Sequence, residues 1–124
     1  MLKEDYCSYE VAKLLKKKGF DELCIFKYNN EGIRIKAGVA IDEWQNSELD
    51  DNECSAPTHQ MAMKWLRKKG IHMSLDTVIS SSGNIYFNID TYSEDSGWNH
   101  PVDFYDSYEE AVEAALKYSL ENLI

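Results

Sequence analysis

The chain writes one helix-ending phrase twice. Lys13-Leu14-Leu15-Lys16-Lys17-Lys18-Gly19-Phe20 returns as Lys64-Trp65-Leu66-Arg67-Lys68-Lys69-Gly70-Ile71. Each copy joins an apolar pair to a cationic turn and stops at glycine. Cations suit the negative end of a helix dipole, and glycine takes the left-handed conformation that closes a helix without a Cβ clash. Each copy follows a Cys-Ser pair, Cys7-Ser8 and Cys54-Ser55. Tyr6-Cys7-Ser8-Tyr9-Glu10 is echoed by Tyr105-Asp106-Ser107-Tyr108-Glu109. Internal similarity constrains architecture before any other argument. It implies three helix starts, two helix stops and a pseudo-repeat over 7–53 and 54–106. A closing helix over 107–124 completes a single globular domain, 1–124.

The first helix is expected from about Ser8 to Lys18, with the Ser8 hydroxyl as N-cap. The second runs from about Ser55 to Lys69, with Pro57 in the first turn, where its missing N–H is harmless. Met61, Ala62, Trp65 and Leu66 form its buried stripe. The third starts at Ser107, where Ser107-Tyr108-Glu109-Glu110 fits a capping box. A hairpin over 23–28 and 33–41 turns at Asn29-Asn30-Glu31-Gly32, and a second turns at Ser81-Ser82-Gly83-Asn84. Alternating apolar residues in the second hairpin predict one covered and one wet face. The stretch 42–53 holds six acids and no base, and reads as a surface loop. A short edge strand is expected from Val102 to Tyr105. The order is α-β-β-α-β-β-α. The fold class is α+β, an antiparallel sheet of about four strands with the helices packed on one face.

Hydrophobic residues at 44% and charged residues at 28% are ordinary globular usage, which argues against bulk disorder. No apolar run reaches the ~20 residues of a membrane span, and no apolar signal core follows the first charges. A cytoplasmic location is expected. Three widely spaced cysteines, Cys7, Cys24 and Cys54, make no disulfide framework. The net charge of −9 lies wholly after residue 69, where ten acids face one base, Lys117. That balance argues against direct nucleic-acid binding, and the lack of a spanning apolar run leads to the expectation of no membrane partner.

Chemistry-bearing patterns are sparse. Cys54 before a helix, with His59 nearby, is the one catalytic pairing with a local rationale, since helix N-termini stabilise thiolates. A five-residue offset on a helix and the acids Asp50, Asp51 and Glu53 work against it. No cysteine or histidine pair has zinc spacing, no acidic run matches a calcium loop, and no glycine motif cradles phosphate. No metal or cofactor is expected. The two basic helix ends fit dipole complementation and solubility, with an anion site as the alternative. Aromatics are in surplus, with eight Tyr, three Trp and four Phe. Tyr86, Tyr92, Trp98 and Tyr105 lie on or beside the polar face of the second hairpin. They form a candidate surface for a protein partner.

Cys54-Ser55-Ala56-Pro57-Thr58, Met61 to Arg67, and the ending from Tyr108-Glu109-Glu110-Ala111 to Leu123-Ile124 resemble small uncharacterised proteins of Bacteroidetes genomes, their phages and other mobile elements. The resemblance covers the second and third helices best. It carries no activity, cofactor or site residue, and implies an accessory protein of a mobile element. Three functions follow: a non-enzymatic protein-interaction module; an acidic nucleic-acid mimic that inhibits a DNA-binding protein; a small thiol-dependent enzyme using Cys54 and His59. Strand order, oligomeric state and partner identity are open at this level.

Overall fold

Ser8 and Gly19 bound the first helix as expected. In the computed structural model, which describes residues 2–38, 43–100 and 103–124, α1 spans Tyr9–Lys17. The Ser8 hydroxyl accepts the Val11 N–H at 3.2 Å, which satisfies one of the donors that a helix start leaves unpaired. Val11, Ala12 and Leu15 form the buried stripe. The chain divides into two compact units, Met1–Ala62 and Met63–Ile124.

In the first unit, β1 (Phe26–Tyr28) pairs antiparallel with β2 (Arg34–Lys36) and with β3 (Cys54–Ser55), in the order β2-β1-β3. The expected Asn29-to-Gly32 turn forms. Asn29 Oδ1 accepts the N–H groups of Glu31 (2.9 Å) and Ile33 (3.0 Å). The strands are shorter than the sequence suggests, and all of β2 is exposed. Residues 39–42 of the expected second strand lie outside the described residues.

The acidic stretch that reads as a plain loop is fastened at several points. Trp44 and Cys24 exchange backbone hydrogen bonds of 2.7 Å, and a single 3-10 turn covers Asn46–Glu48. Asn46 is buried. Its Nδ2 donates to the Phe20 carbonyl at 2.7 Å and its Oδ1 accepts the Ser55 N–H at 2.8 Å. This stretch delivers β3 to the sheet. Tyr28, Cys54, Ala12 and Ala56 then pack into a small core with Tyr9 and Phe26.

The second helix begins later than its sequence implies. α2 is His59–Lys68, and Thr58 Oγ1 accepts the Met61 N–H at 3.1 Å, so Thr58 caps it. Ser55 belongs to β3, and Pro57 precedes the cap rather than entering the first turn. Gly70 closes the helix with φ of +84°. A Cβ there would meet the Glu94 carboxylate at 2.7 Å, but that side chain is flexible and exposed, so it is the positive φ that calls for glycine.

In the second unit, β4 (Ile71–Ile79), β5 (Ile85–Ser93) and β6 (Gly97–Asn99) form an antiparallel meander in that order. β4 and β5 pair along their whole length, from Ile71 opposite Ser93 to Ile79 opposite Ile85. α3 (Tyr108–Asn122) starts as expected, with Ser107 Oγ accepting the Glu110 N–H at 3.1 Å. It packs chiefly against β5. Ile71, Ile89, Thr91 and Ser93 are buried on the sheet's inner face, but cover fades toward the hairpin tip, where Ile79 is 68% exposed. Of the expected edge strand from Val102, that residue lies outside the described ones. Tyr105 makes an isolated bridge to Phe87, with 2.8 Å in both directions.

The expected four-stranded sheet is therefore two three-stranded sheets. β3 and β6 are only two and three residues long, below the length at which alternation can announce a strand. No helix among the described residues is long and apolar enough to cross a membrane.

Candidate functional site

Cys54 does not stand at a helix N-terminus. It lies in β3 opposite Tyr28, and only 1% of its surface is exposed. The helix-dipole argument for a thiolate has no structural basis there. Burial pushes the thiol up to about 11, although Lys16 and Lys13 pull it down. At neutral pH it is a small neutral side chain.

Beside Cys54 lies a groove of about 430 Å³ between α1 and residues 51–54, with Lys13, Lys16 and Lys17 on one wall. Two of these cations, Lys13 and Lys16, are engaged. Lys16 Nζ donates to the carbonyls of Asp50 and Glu53, both at 2.6 Å, which ties the acidic stretch to the last turn of α1. Lys13 Nζ lies 4.4 Å from the centre of the Tyr9 ring. Lys27 Nζ meets Glu53 Oε2 at 2.9 Å. The basic end of the first helix thus fastens a neighbouring segment as well as complementing the dipole.

His59 is buried, and its backbone N–H donates to the Asp5 carbonyl at 2.8 Å. The thiol beside its ring is Cys7, whose Sγ lies within 4.8 Å of a ring nitrogen. Cys7 is also buried, with its Sγ 3.9 Å from the Thr58 carbonyl. Sequence spacing gave no signal for this pair, because strand-like residues 6 and 58 are joined by a long-range bridge.

The aromatic surplus is resolved by strand register. Residues 86, 88, 90 and 92 of β5 share its outer face, opposite 78, 76, 74 and 72 of β4. Tyr92 therefore stands between His72 on β4 and Trp98 on β6. Ring centres are 6.3 Å apart for His72–Tyr92, 5.1 Å for Tyr92–Trp98 and 5.7 Å for Trp98–His100, the last pair stacked at 15°. Four rings thus cross all three strands in one row. A carboxylate lies at each end: His72 Nε2 is 3.3 Å from Glu94 Oε2, within hydrogen-bond geometry, and His100 Nδ1 is 3.2 Å from Asp90 Oδ1, a close approach without it. Trp98 is 57% exposed.

Tyr86 lies on the same face, nearer the tip. Tyr105 does not. Its bridge to Phe87 puts it with the inner-face residues, and it lines a small cavity with Thr91 and Ala115. Burial, then the charge of Asp103, raise its phenol above the ordinary value. Of the four candidate residues, Tyr92 and Trp98 are brought into contact, Tyr86 shares only their face, and Tyr105 lies on the other. The two histidines that complete the row were missed. The turn at 81–84 does predict His72 opposite Tyr92, whereas His100 depends on β6.

No protein-family model matches the chain, and neither the curated proteins nor the solved structures give a match.

Proposed function

We propose that this chain is a non-enzymatic protein-binding module that engages its partner through the outer face of β4, β5 and β6. The row His72-Tyr92-Trp98-His100 carries this reading. Rings packed against one another offer a large contact area already ordered before binding, so little side-chain entropy is lost. Asp90 and Glu94 lie at the ends of the row, and Asp76 shares its face farther along β4, which favours a partner surface presenting arginine or lysine. Arginine matches both components, since its guanidinium stacks on aromatic rings and pairs with carboxylates. The resemblance of the second and third helices to proteins of mobile elements supports an accessory role in that setting.

The other readings have weaker support. A thiol enzyme at Cys54 needs an activated thiolate, and burial acts against one. A nucleic-acid mimic needs its charges along one ridge. Here Asp76 and Asp90 lie on the outer face, while Glu109 and Glu110 open the helix packed on the inner face.

The test is affinity capture from the native cell, comparing wild type with Trp98→Ala and with Tyr118→Ala, which alters an exposed tyrosine on α3. The expected result is a specific protein whose affinity falls by about 2 kcal/mol or more with Trp98→Ala, in the range of interface hot spots. Tyr118→Ala should retain it. Equal affinity for wild type and Trp98→Ala would remove the outer face from the function.

A further inference from the structure

The second sheet ends on a strand with an open side. β4 has β5 along one edge, and among the described residues no other backbone group bonds to it. Two bonds at the ends of the hairpin fix which residues face the open edge. The Glu94 N–H donates to the Gly70 carbonyl and the Ser80 N–H to the Asn84 carbonyl, both at 2.9 Å. Both continue the unbroken register of β4 and β5, so the even-numbered residues of β4 bond to β5. The odd-numbered ones, Ile71, Met73, Leu75, Thr77 and Ile79, turn their N–H and C=O groups outward. Their side chains share the inner face with Ile89. Ser74, Asp76, Thr77 and Ile79 are exposed, so the edge is reachable from Ser74 to the hairpin tip. Long edge strands are usually blunted by lysine, proline or a bulge. β4 has none of the three over nine residues, and its one carboxylate, Asp76, lies on the outer face.

We infer that β4 pairs antiparallel with β4 of a second copy of this chain, about a two-fold axis through Leu75, so that two three-stranded sheets become one. The strand is complementary to itself about that residue, as a two-fold interface requires. Leu75 faces its own counterpart, Met73 faces Thr77 of the second copy, and Ile71 faces Ile79 of the second copy. All are odd-numbered, so each pair can exchange both backbone hydrogen bonds. Their side chains meet on the inner face, where Ile79, 68% exposed in the single chain, gains an apolar neighbour. On the outer face Asp76 meets Ser74, a hydroxyl that can donate to it, and His72 meets Val78. No carboxylate opposes another across the joint. Moving the axis to Met73 leaves Thr77 and Ile79 unpaired, and moving it to Thr77 leaves Ile71 and Met73 unpaired. An extended segment of another protein would find the same backbone groups. The second copy is the better occupant because the side chains of β4 match their own order reversed. The net charge of −9 opposes association, but exposed charges are screened beyond about 8 Å at physiological salt, and β4 brings a single acid to the joint. Trp98 on β6 lies at the opposite edge of the sheet and stays open.

The experiment is sedimentation velocity of the full chain from low micromolar to near-millimolar concentration at physiological salt, with amide hydrogen exchange at both ends of that range. The mass should rise from the 14.3 kDa of one chain toward twice that value. The amides of Met73, Leu75 and Thr77 should be protected in the concentrated sample and exchange at least tenfold faster on dilution. Those of Ser74 and Asp76, which bond to β5, should stay protected throughout. Thr77→Lys sets a charge on the inner face at an exposed position, a device by which edges resist pairing. It should weaken association at least tenfold while the Ser74 and Asp76 amides keep their protection, which shows that the sheet is intact. A single-chain mass at every concentration would overturn the inference. So would a dimer whose Met73, Leu75 and Thr77 amides exchange freely, or one that Thr77→Lys leaves unchanged. Protection of these amides only in a complex of one chain with an extended segment of another protein gives the edge to a foreign strand, and overturns it too. Trp98→Ala should associate as wild type does, so loss of outer-face binding and loss of strand pairing are separable results.

Discussion

Asn46 shows how one side chain can hold a stretch that composition marks as loop. Its amide donates to the Phe20 carbonyl and accepts the Ser55 N–H, so it joins the segment after α1 to β3 from inside the protein. Asn46→Ala removes both bonds and leaves a buried carbonyl and a buried N–H unmet, each costing about 1–3 kcal/mol. The expected loss of unfolding free energy is about 2–4 kcal/mol by urea titration. A loss below ~0.5 kcal/mol would show that the Lys16 and Trp44 contacts hold the segment without it. Glu48→Ala, two residues on and exposed, should stay within about 0.5 kcal/mol of wild type.

At the scale of elements, the start of α2 separates a local signal from a long-range one. Cys54-Ser55 resembles Cys7-Ser8 in sequence, yet Ser8 caps a helix and Ser55 pairs in a sheet with Lys27. The cap of α2 is Thr58. Thr58→Ala should cost about 1 kcal/mol and speed hydrogen exchange at the Met61 amide, whereas Ser55→Ala should leave that exchange unchanged. The reverse result would restore Ser55 as the helix start. This contrast explains what was legible. Ser8, Gly19, Gly70 and Ser107 act within four residues of their own position, so the helix ends at those places are written locally. β3 and β6 exist only because β1 and β5 supply partner backbones, and nothing inside Cys54-Ser55 or Gly97-Trp98-Asn99 declares that. The candidate face follows the same division. Period-two alternation and one turn place Tyr86 and Tyr92 together, opposite Val78 and His72. The stacking of His100 on Trp98 and the turning of Tyr105 to the other face needed the third dimension. Strand order also limits the repeat: the central strand is the first of its three in the first sheet and the second in the other. The shared phrase is thus a common way to end a helix before strands that are then ordered differently.

At the scale of the whole molecule, charge and burial both lower stability as pH rises, by separable routes. The net charge is already −9 at neutral pH, and further deprotonation adds to self-repulsion. Cys24 and Cys54 add a second, separable dependence. Burial is the main cause that raises each thiol from its ordinary value of 9.0 to about 11. In the unfolded chain they lose their protons near pH 9, while in the folded chain they keep them to about pH 11. Between those values the unfolded state binds fewer protons, so stability is whole below pH ~9 and falls as pH rises toward 11. The direction is opposite to that of a salt-bridged carboxylate, whose contribution is lost toward acid. A Cys24→Ala, Cys54→Ala variant keeps the acidic surface and removes this slope. Urea midpoints at pH 7.5, 9 and 10.5 should therefore fall more steeply for wild type than for the variant, the difference appearing only above pH ~9. Parallel curves would mean that alkaline loss comes from surface charge alone and that neither thiol resists ionisation. The same property bears on function. A thiol kept neutral to such a pH reacts slowly with disulfide reagents at pH 7.5 in the folded protein and readily in urea. Fast native reaction at Cys54 would reopen thiol chemistry at this site, and slow reaction argues against the thiol-enzyme reading.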